Sequence, residues 1–215
     1  MTKEQLKINE IFYSIQGESY LSGLPCIFIR LTGCDLRCTY CDTKYAYYDG
    51  QFMEFSEIII KIKEYPCYNV LLTGGEPLLQ KNTSKLAQKL IDLGYKVAIE
   101  TSGNHDISVL PNEVVKIMDL KTPGSGEDKK NDYKNISKLT SKDEIKFVVV
   151  NNEDTHWAIK QIKENNLDQR CHVSISPTDH KLHPSIADEV LNSGRKIRHQ
   201  FQMHKVIWPN REKGY

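Results

Sequence analysis

Along the chain, short runs of apolar and largely β-branched residues alternate with stretches whose apolar positions recur every three to four residues. The runs at 26–31, 70–73, 96–101, 115–120, 145–150, 172–176 and 197–201 are apolar at successive positions, so most read as strands covered on both faces. Between them, stretches 55–65, 77–93, 154–165 and 184–192 carry the helical period. Strand and helix in alternation predict an α/β fold with a mostly parallel sheet, either doubly wound or curved into part of a barrel. An extra strand and turn at about 8–18 precede this pattern, and a tail at about 204–215 follows it, with Pro209 and Gly214 opposing helix formation. Residues 123–135 mix Gly, Ser, Asp and Lys without apolar periodicity and read as a mobile surface loop.

The pattern directs attention to the strand ends, because in both architectures ligands bind beyond the carboxyl ends of the strands. Polar segments stand at those places: Thr73-Gly74-Gly75-Glu76-Pro77, Glu100-Thr101-Ser102-Gly103, Asp119-Leu120-Lys121-Thr122-Pro123 and Ser174-Ile175-Ser176-Pro177. The run at 26–31 leads into GCDLRCTYCDT, which carries Cys34, Cys38 and Cys41. A closed zinc site takes four ligands, commonly in two close pairs, whereas one tight loop here offers three thiols and stops. Three ligands leave a metal corner open, and an iron-sulfur cluster with an open iron can bind a small molecule and pass it an electron. The alternative is a zinc-binding interaction module, its site completed by a distant His or by Asp35 or Asp42. Cys26, Cys67 and Cys171 lie in or beside apolar runs and read as small core residues.

Composition narrows the partners. At 215 residues the chain can bury one sizeable core. Its 29 Lys plus Arg against 28 Asp plus Glu leave a net charge of +1, which gives no whole-chain attraction to nucleic acid or to an anionic membrane. No apolar run has the length of a membrane span, and MTKEQLKINE lacks the apolar stretch of a secretory signal, so a cytoplasmic location with reduced thiols is expected.

The Cys-x3-Cys-x2-Cys loop resembles the signature of the radical S-adenosylmethionine superfamily, and Gly74-Gly75-Glu76 resembles its GGE element. Further residues extend the likeness: Ile11-Phe12-Tyr13-Ser14-Ile15-Gln16-Gly17-Glu18, Gly23-Leu24-Pro25, Ile27-Phe28-Ile29-Arg30-Leu31 and Gly33-Cys34-Asp35-Leu36. With Asp42-Thr43 and the closing Gln202-Met203-His204-Lys205 and Trp208, the chain is similar to the 7-carboxy-7-deazaguanine synthases. The resemblance implies a single domain over 1–215, an incomplete (β/α) barrel with cluster and active site at the C-terminal ends of its strands. It implies a [4Fe-4S] cluster on the three cysteines, S-adenosylmethionine on the open iron, and a 5′-deoxyadenosyl radical shielded from water.

The implied reaction is ring contraction of 6-carboxy-5,6,7,8-tetrahydropterin to 7-carboxy-7-deazaguanine with loss of ammonia, a carbon-nitrogen lyase step towards queuosine and related 7-deazapurines. A flavodoxin- or ferredoxin-type electron donor and a homodimer are implied with it. By position, Ile15, Gln16, Gly17, Arg30, Thr73, His204 and Tyr215 match substrate contacts. The backbone and amide of the Gln16 turn would face the pterin, and the Arg30 guanidinium would meet the carboxylate in two-pronged fashion. Gly74, Gly75, Glu76, Glu100, Ser102, Asp119, Leu120, Lys121, Ser174, Ser176 and Pro177 match S-adenosylmethionine contacts, and Thr43 matches a ligand of Mg²⁺. A glycyl-radical-enzyme activase shares the cysteine spacing but acts on a protein, whereas Arg30 and the Gln-Gly-Glu turn favour a small carboxylated substrate.

Overall fold

The structure, a computed structural model, describes residues 3–209, 211, 213 and 214. Among them nine strands form one sheet: β1 (Gln5–Ile15), β2 (Pro25–Leu31), β3 (Gln51–Glu54), β4 (Asn69–Gly74), β5 (Lys96–Thr101), β6 (Val115–Asp119), β7 (Glu144–Val149), β8 (His172–Pro177) and β9 (Arg198–His199). The strand order is β3-β1-β2-β4-β5-β6-β7-β8-β9, so the sheet has two free edges and does not close. Every pairing from β2 to β9 is parallel, and β1 lies antiparallel between β2 and β3. The helices are α1 (Phe55–Ile62), α2 (Thr83–Asp92), α3 (Asn152–Asn165), α4 (Leu167–Arg170), α5 (His183–Ser193) and α6 (Met203–Ile207). This is an α/β incomplete barrel. No described helix is long and apolar enough to cross a membrane.

Side chains two apart on a strand share a face, and that period gives the sheet two different surfaces. One face packs Ile27, Ile29, Val70, Leu72, Val97 and Ile99 against Ile58 and Ile62 of α1 and Leu86 and Leu90 of α2, forming the main core. The other face carries a smaller cluster of Phe12, Cys26, Phe28, Leu71, Ala98 and Ile117. Two residues further along the same strands this second face turns polar: Phe28 is followed by Arg30, Leu71 by Thr73, Ala98 by Glu100 and Ile117 by Asp119. The apolar layer thus floors a polar chamber at the carboxyl ends.

Several local outcomes differ from the periodicity. The stretch 77–93 is split, because Gln80 is extended and its side chain pairs with Lys7 and Thr32. Only Pro77–Leu79, a single 3₁₀ turn, and α2 remain helical. The run at 197–201 contributes just two residues to β9. The tail begins in α6, so Pro209 follows a short helix instead of preventing one. Strand β3 was not foreseen, since its QFME sequence is largely exposed and shows no buried alternation. The segment 123–135 forms three short 3₁₀ turns with Ser125, Glu127 and Asn135 buried, which corrects the expectation of a mobile loop.

The missing barrel strands are spanned by chain rather than by sheet. Beyond β1, residues 18–20 cross the open side: Glu18 meets Lys146, Tyr20 N donates to Glu144 Oε2 at 2.7 Å, and the Tyr20 ring stacks on His172 at 4.2 Å. In sheet order β1 and β7 stand five places apart, so these contacts draw distant walls together.

Candidate active site

The cysteine loop is held from two sides. Gly33 O accepts from Glu76 N at 2.7 Å, and Gly75 N donates to Leu31 O at 3.2 Å, so the glycine turn after β4 lies directly on the start of the loop. A Cβ at Gly75 would stand 2.1 Å from Gly33 O and 2.8 Å from Cys34 Cβ, and Gly74 has φ +140° with Leu31 O in the way. Both positions therefore require glycine. From the other side, Thr39 N donates to Ser125 O at 3.0 Å, Thr39 Oγ1 to Gly124 O at 2.8 Å and Arg37 N to Glu127 Oε1 at 2.5 Å. Burial of Glu127 resists its ionisation, but Lys130 and the Arg37 amide hold the carboxyl below its ordinary value. Glu127→Ala is expected to weaken this clasp by about 0.5–1.5 kcal/mol, the net worth of a hydrogen bond whose donor can turn to water. Iron retained after anaerobic reconstitution and a chelator challenge should then fall; retention equal to the wild type would refute the role.

Cys34, Cys38 and Cys41 are reduced, half-buried and line one cavity. Burial pushes the Cys34 thiol up and the Cys38 thiol up to about 11, although Lys121 pulls the latter down. Such thiols are protonated at neutral pH and lose their protons when metal binds. The same cavity is lined by Arg30, Thr73, Glu100, Asp119 and Lys146 from the strands, by Lys121 just beyond β6, by residues 15–18 at and after the end of β1, and by Gln202, His204 and Lys205 from the tail. Lys146 Nζ lies 2.6 Å from Glu18 Oε2, in contact with Glu100 Oε1, and 4.0 Å from Asp119 Oδ2, which Lys121 Nζ holds at 2.8 Å. Burial opposes ionisation of Glu18, but Lys146, His204 and the Gln202 hydrogen bond together outweigh it and the carboxyl falls to about 2. Arg30 is ion-paired through Nε with Glu10 Oε1 at 2.8 Å, which engages one of its five donors. Asp119 Oδ1 and the Tyr40 hydroxyl are buried in this lining with no hydrogen-bond partner among the described residues, as expected for walls shaped around a polar ligand.

Residues 28–175 match the Radical SAM superfamily. The 7-carboxy-7-deazaguanine synthase of Koribacter versatilis is 38% identical over 225 aligned positions, covering 97% of this chain and 100% of the relative. That of Methanospirillum hungatei is 40% identical over 206 positions, covering 94% of this chain and 85% of the relative. The chain belongs to the 7-carboxy-7-deazaguanine synthase family. The crystal structure of QueE from Escherichia coli shares its fold, with a TM-score of 0.75 at 23% identity over 91% of this chain and 94% of that one.

As a radical SAM enzyme the chain uses a [4Fe-4S] cluster and S-adenosylmethionine, and its residues fit them. No three His, Cys, Asp or Glu side chains among the described residues converge on a single-ion site. Cys34, Cys38 and Cys41 all line one cavity, which suits a cluster whose irons each take one thiolate.

Most family-matched residues line the chamber: Ile15, Gln16, Gly17, Arg30, Thr43, Thr73, Gly74, Gly75, Glu100, Ser102, Asp119, Lys121 and His204. Others do not. Glu76 is fully buried, and its carboxylate accepts from Thr101 Oγ1, Ser102 N, Ser102 Oγ and Leu78 N, so it braces the glycine turn against the end of β5 and is not turned to a ligand. Leu120 belongs to the main core, and Ser174, whose hydroxyl donates to Glu144, is buried with Ser176 and Pro177 outside the lining. The Ser176 hydroxyl is buried with no hydrogen-bond partner among the described residues, and the cofactor contacts of these four residues remain what the family likeness implies. The backbone of Gln16 is also engaged, its N donating to Leu24 O and its O accepting from Gly23 N, each at 2.8 Å. Its N–H is thus taken, while the second lone pair of its O and its side-chain amide remain to face a ligand. Tyr215 lies outside the described residues. Sequence reasoning gave no site role to Lys146, Tyr40 or Gln202 and took Glu18 only as part of the Gln-Gly-Glu turn; a lysine on the chamber face of the apolar strand EIKFVV was the available signal for the first.

Proposed function

We propose that this chain converts 6-carboxy-5,6,7,8-tetrahydropterin to 7-carboxy-7-deazaguanine and ammonia, acting as a carbon-nitrogen lyase. The observation that carries this reading is the shared chamber: three thiols, a guanidinium and a carboxylate–ammonium network line one space in a chain that matches synthases over nearly its full length. When bound, the cluster and S-adenosylmethionine supply a 5′-deoxyadenosyl radical by one-electron cleavage of the sulfonium.

The chain's own residues do the rest. Cys34, Cys38 and Cys41 hold the cluster, and the backbone of Gly74 and Gly75 lets the methionine end approach closely. Glu100, Ser102, Asp119 and Lys121 orient the nucleoside, with Asp119 Oδ1, partnerless among the described residues, suited to accept from a hydroxyl or amine. Arg30 pairs with the substrate carboxylate, while the Gln16 side chain, Gly17, Thr73 and His204 flank the ring. The tail residues Gln202, His204, Lys205, Lys213 and Gly214 line the same cavity and exclude water, which would quench a radical. Thr43 Oγ1 donates to Asp42 Oδ1 at 2.9 Å, an arrangement that leaves its lone pairs available to Mg²⁺. A flavodoxin- or ferredoxin-type donor and a homodimeric assembly complete the proposal.

Anaerobically reconstituted protein, given reductant, S-adenosylmethionine and the carboxylated tetrahydropterin, is expected to form 7-carboxy-7-deazaguanine and ammonia in equal amounts. Formation of neither product refutes the assignment. Thr43→Ala should raise the Mg²⁺ concentration needed for half-maximal rate by about 10-fold, since groups around a metal site contribute roughly 10–100-fold to affinity. An unchanged Mg²⁺ titration would remove Thr43 from the metal site.

A further inference from the structure

Lys146 is the one lysine on the chamber face of β7, and its side chain is only 6% exposed. Three carboxylates approach it from three different elements: Glu18 from the turn after β1, Glu100 from the end of β5 and Asp119 from β6. Each is tied further outward. Glu18 Oε1 accepts from Gln202 Nε2 at 2.7 Å, Glu100 Oε2 from Thr73 Oγ1 at 3.4 Å, and Asp119 from Lys121. Glu18 and Glu100 both line the cavity, yet the side chain that joins them is the ammonium between them.

We propose that Lys146 is a positioning residue for the reaction: its ammonium fixes Glu18 in the substrate turn and Glu100 beside the nucleoside, so that occupying one half of the chamber tightens binding in the other. The proposal rests on the reading of the chamber given above. The physical argument is one of buried charge. Three carboxylates enclosed around two ammoniums would repel one another and turn apart if the central cation were removed. With it in place, a ligand that orders Glu18 also orders Lys146 and therefore Glu100, and the order already gained by the first ligand is not lost again by the second. Burial acts against the charged form of Lys146, but Glu100, Glu18 and Asp119 together raise its pKa well above the ordinary value, so the hub stays charged throughout the working range. Lys121, Cys38, Tyr40, Glu144 and His204 are further titratable groups whose charges reach Lys146 or its carboxylates.

The test compares reconstituted wild type, Lys146→Met and Lys146→Arg at matched iron content. In Lys146→Met the KM for the pterin should rise about tenfold or more. The tightening of S-adenosylmethionine by the pterin, expected at about fivefold or more in the wild type, should vanish. Without the cation, burial governs Glu18, so kcat/KM should acquire an acid limb that is absent from the wild type; Lys146→Arg, which keeps the charge, should not show it. A purely structural lysine would lower stability and leave the coupling and the pH profile alone, and that result overturns the proposal. If Lys146→Met does not fold, Glu18→Gln and Glu100→Gln are combined instead. Effects on KM that depart from additivity by about threefold or more support the link, and additive effects overturn it. A wild type that binds S-adenosylmethionine but never turns over the pterin overturns the parent reading and this proposal with it, whereas normal wild-type turnover with unaltered variants overturns this proposal alone.

Discussion

Replacing any one of Cys34, Cys38 or Cys41 with alanine is expected to reduce turnover to background while leaving the fold intact. The three thiols lie in a loop without regular secondary structure, half-buried, and the loop is anchored by backbone contacts to Gly33 and Thr39 rather than by the sulfurs alone. Folding therefore survives the loss of a sulfur, but the cluster does not. Removing groups one layer behind a metal ligand already costs metal sites roughly 10–100-fold, so losing a ligand itself should exceed about 100-fold. Iron content, the visible absorption of the reconstituted protein and cleavage of S-adenosylmethionine without substrate should all fall together. A variant that keeps its iron and still cleaves S-adenosylmethionine would show that its cysteine is not a ligand.

Glu76→Ala should produce the largest loss of stability. The carboxylate is wholly buried and receives four donors, three of them from Thr101 and Ser102 at the end of β5. Truncation leaves those donors without partners in the interior, a mechanism that costs about 3–5 kcal/mol for buried charged networks. For a chain of this size each kcal/mol shifts Tm by about 2–4 °C, so a drop of about 6–20 °C is expected in protein without cofactor. Glu76→Gln keeps the shape and some of the acceptor capacity and should fall between. The alternative, that the side chain serves S-adenosylmethionine directly, makes the opposite forecast: an unchanged Tm without ligand and a weakened Kd. That pair of results would sink the bracing role.

Glu76 also shows where the sequence stops being informative. Its place in a recognisable motif was visible, but whether its carboxylate faced a ligand depended on Thr101 and Ser102, about twenty-five residues away and brought close by parallel pairing of β4 with β5. The parallel strands were legible because burial on both faces leaves continuous apolar runs, as in β2 and β4. Strand β3 was not, since exposed residues carry no such record. The break at Gln80 was equally hidden, because an extended residue stabilised by contacts with Lys7 and Thr32 has the same composition as a helical one. In the chamber, the cysteines could be read from local spacing alone. Lys146 and Glu18 could not, because their importance comes from a meeting between elements 128 positions apart. The segment 123–135 misled for a related reason: polar composition predicts exposure, yet here its polar groups are satisfied by the cysteine loop and by Asp154.

The contact at Gly75 has a consequence for anyone redesigning such enzymes. With no room for a side chain between Gly75 and Gly33 O, the loop that carries the thiols and the turn after β4 form a single interlocked part. Grafting the cysteine loop alone onto another half-barrel would transfer the ligands without the surface that shapes them. A portable unit would have to include the glycine turn as its mating half and a counterpart to residues 124–127 as its outer latch, which makes this radical source a three-piece module rather than an eight-residue motif.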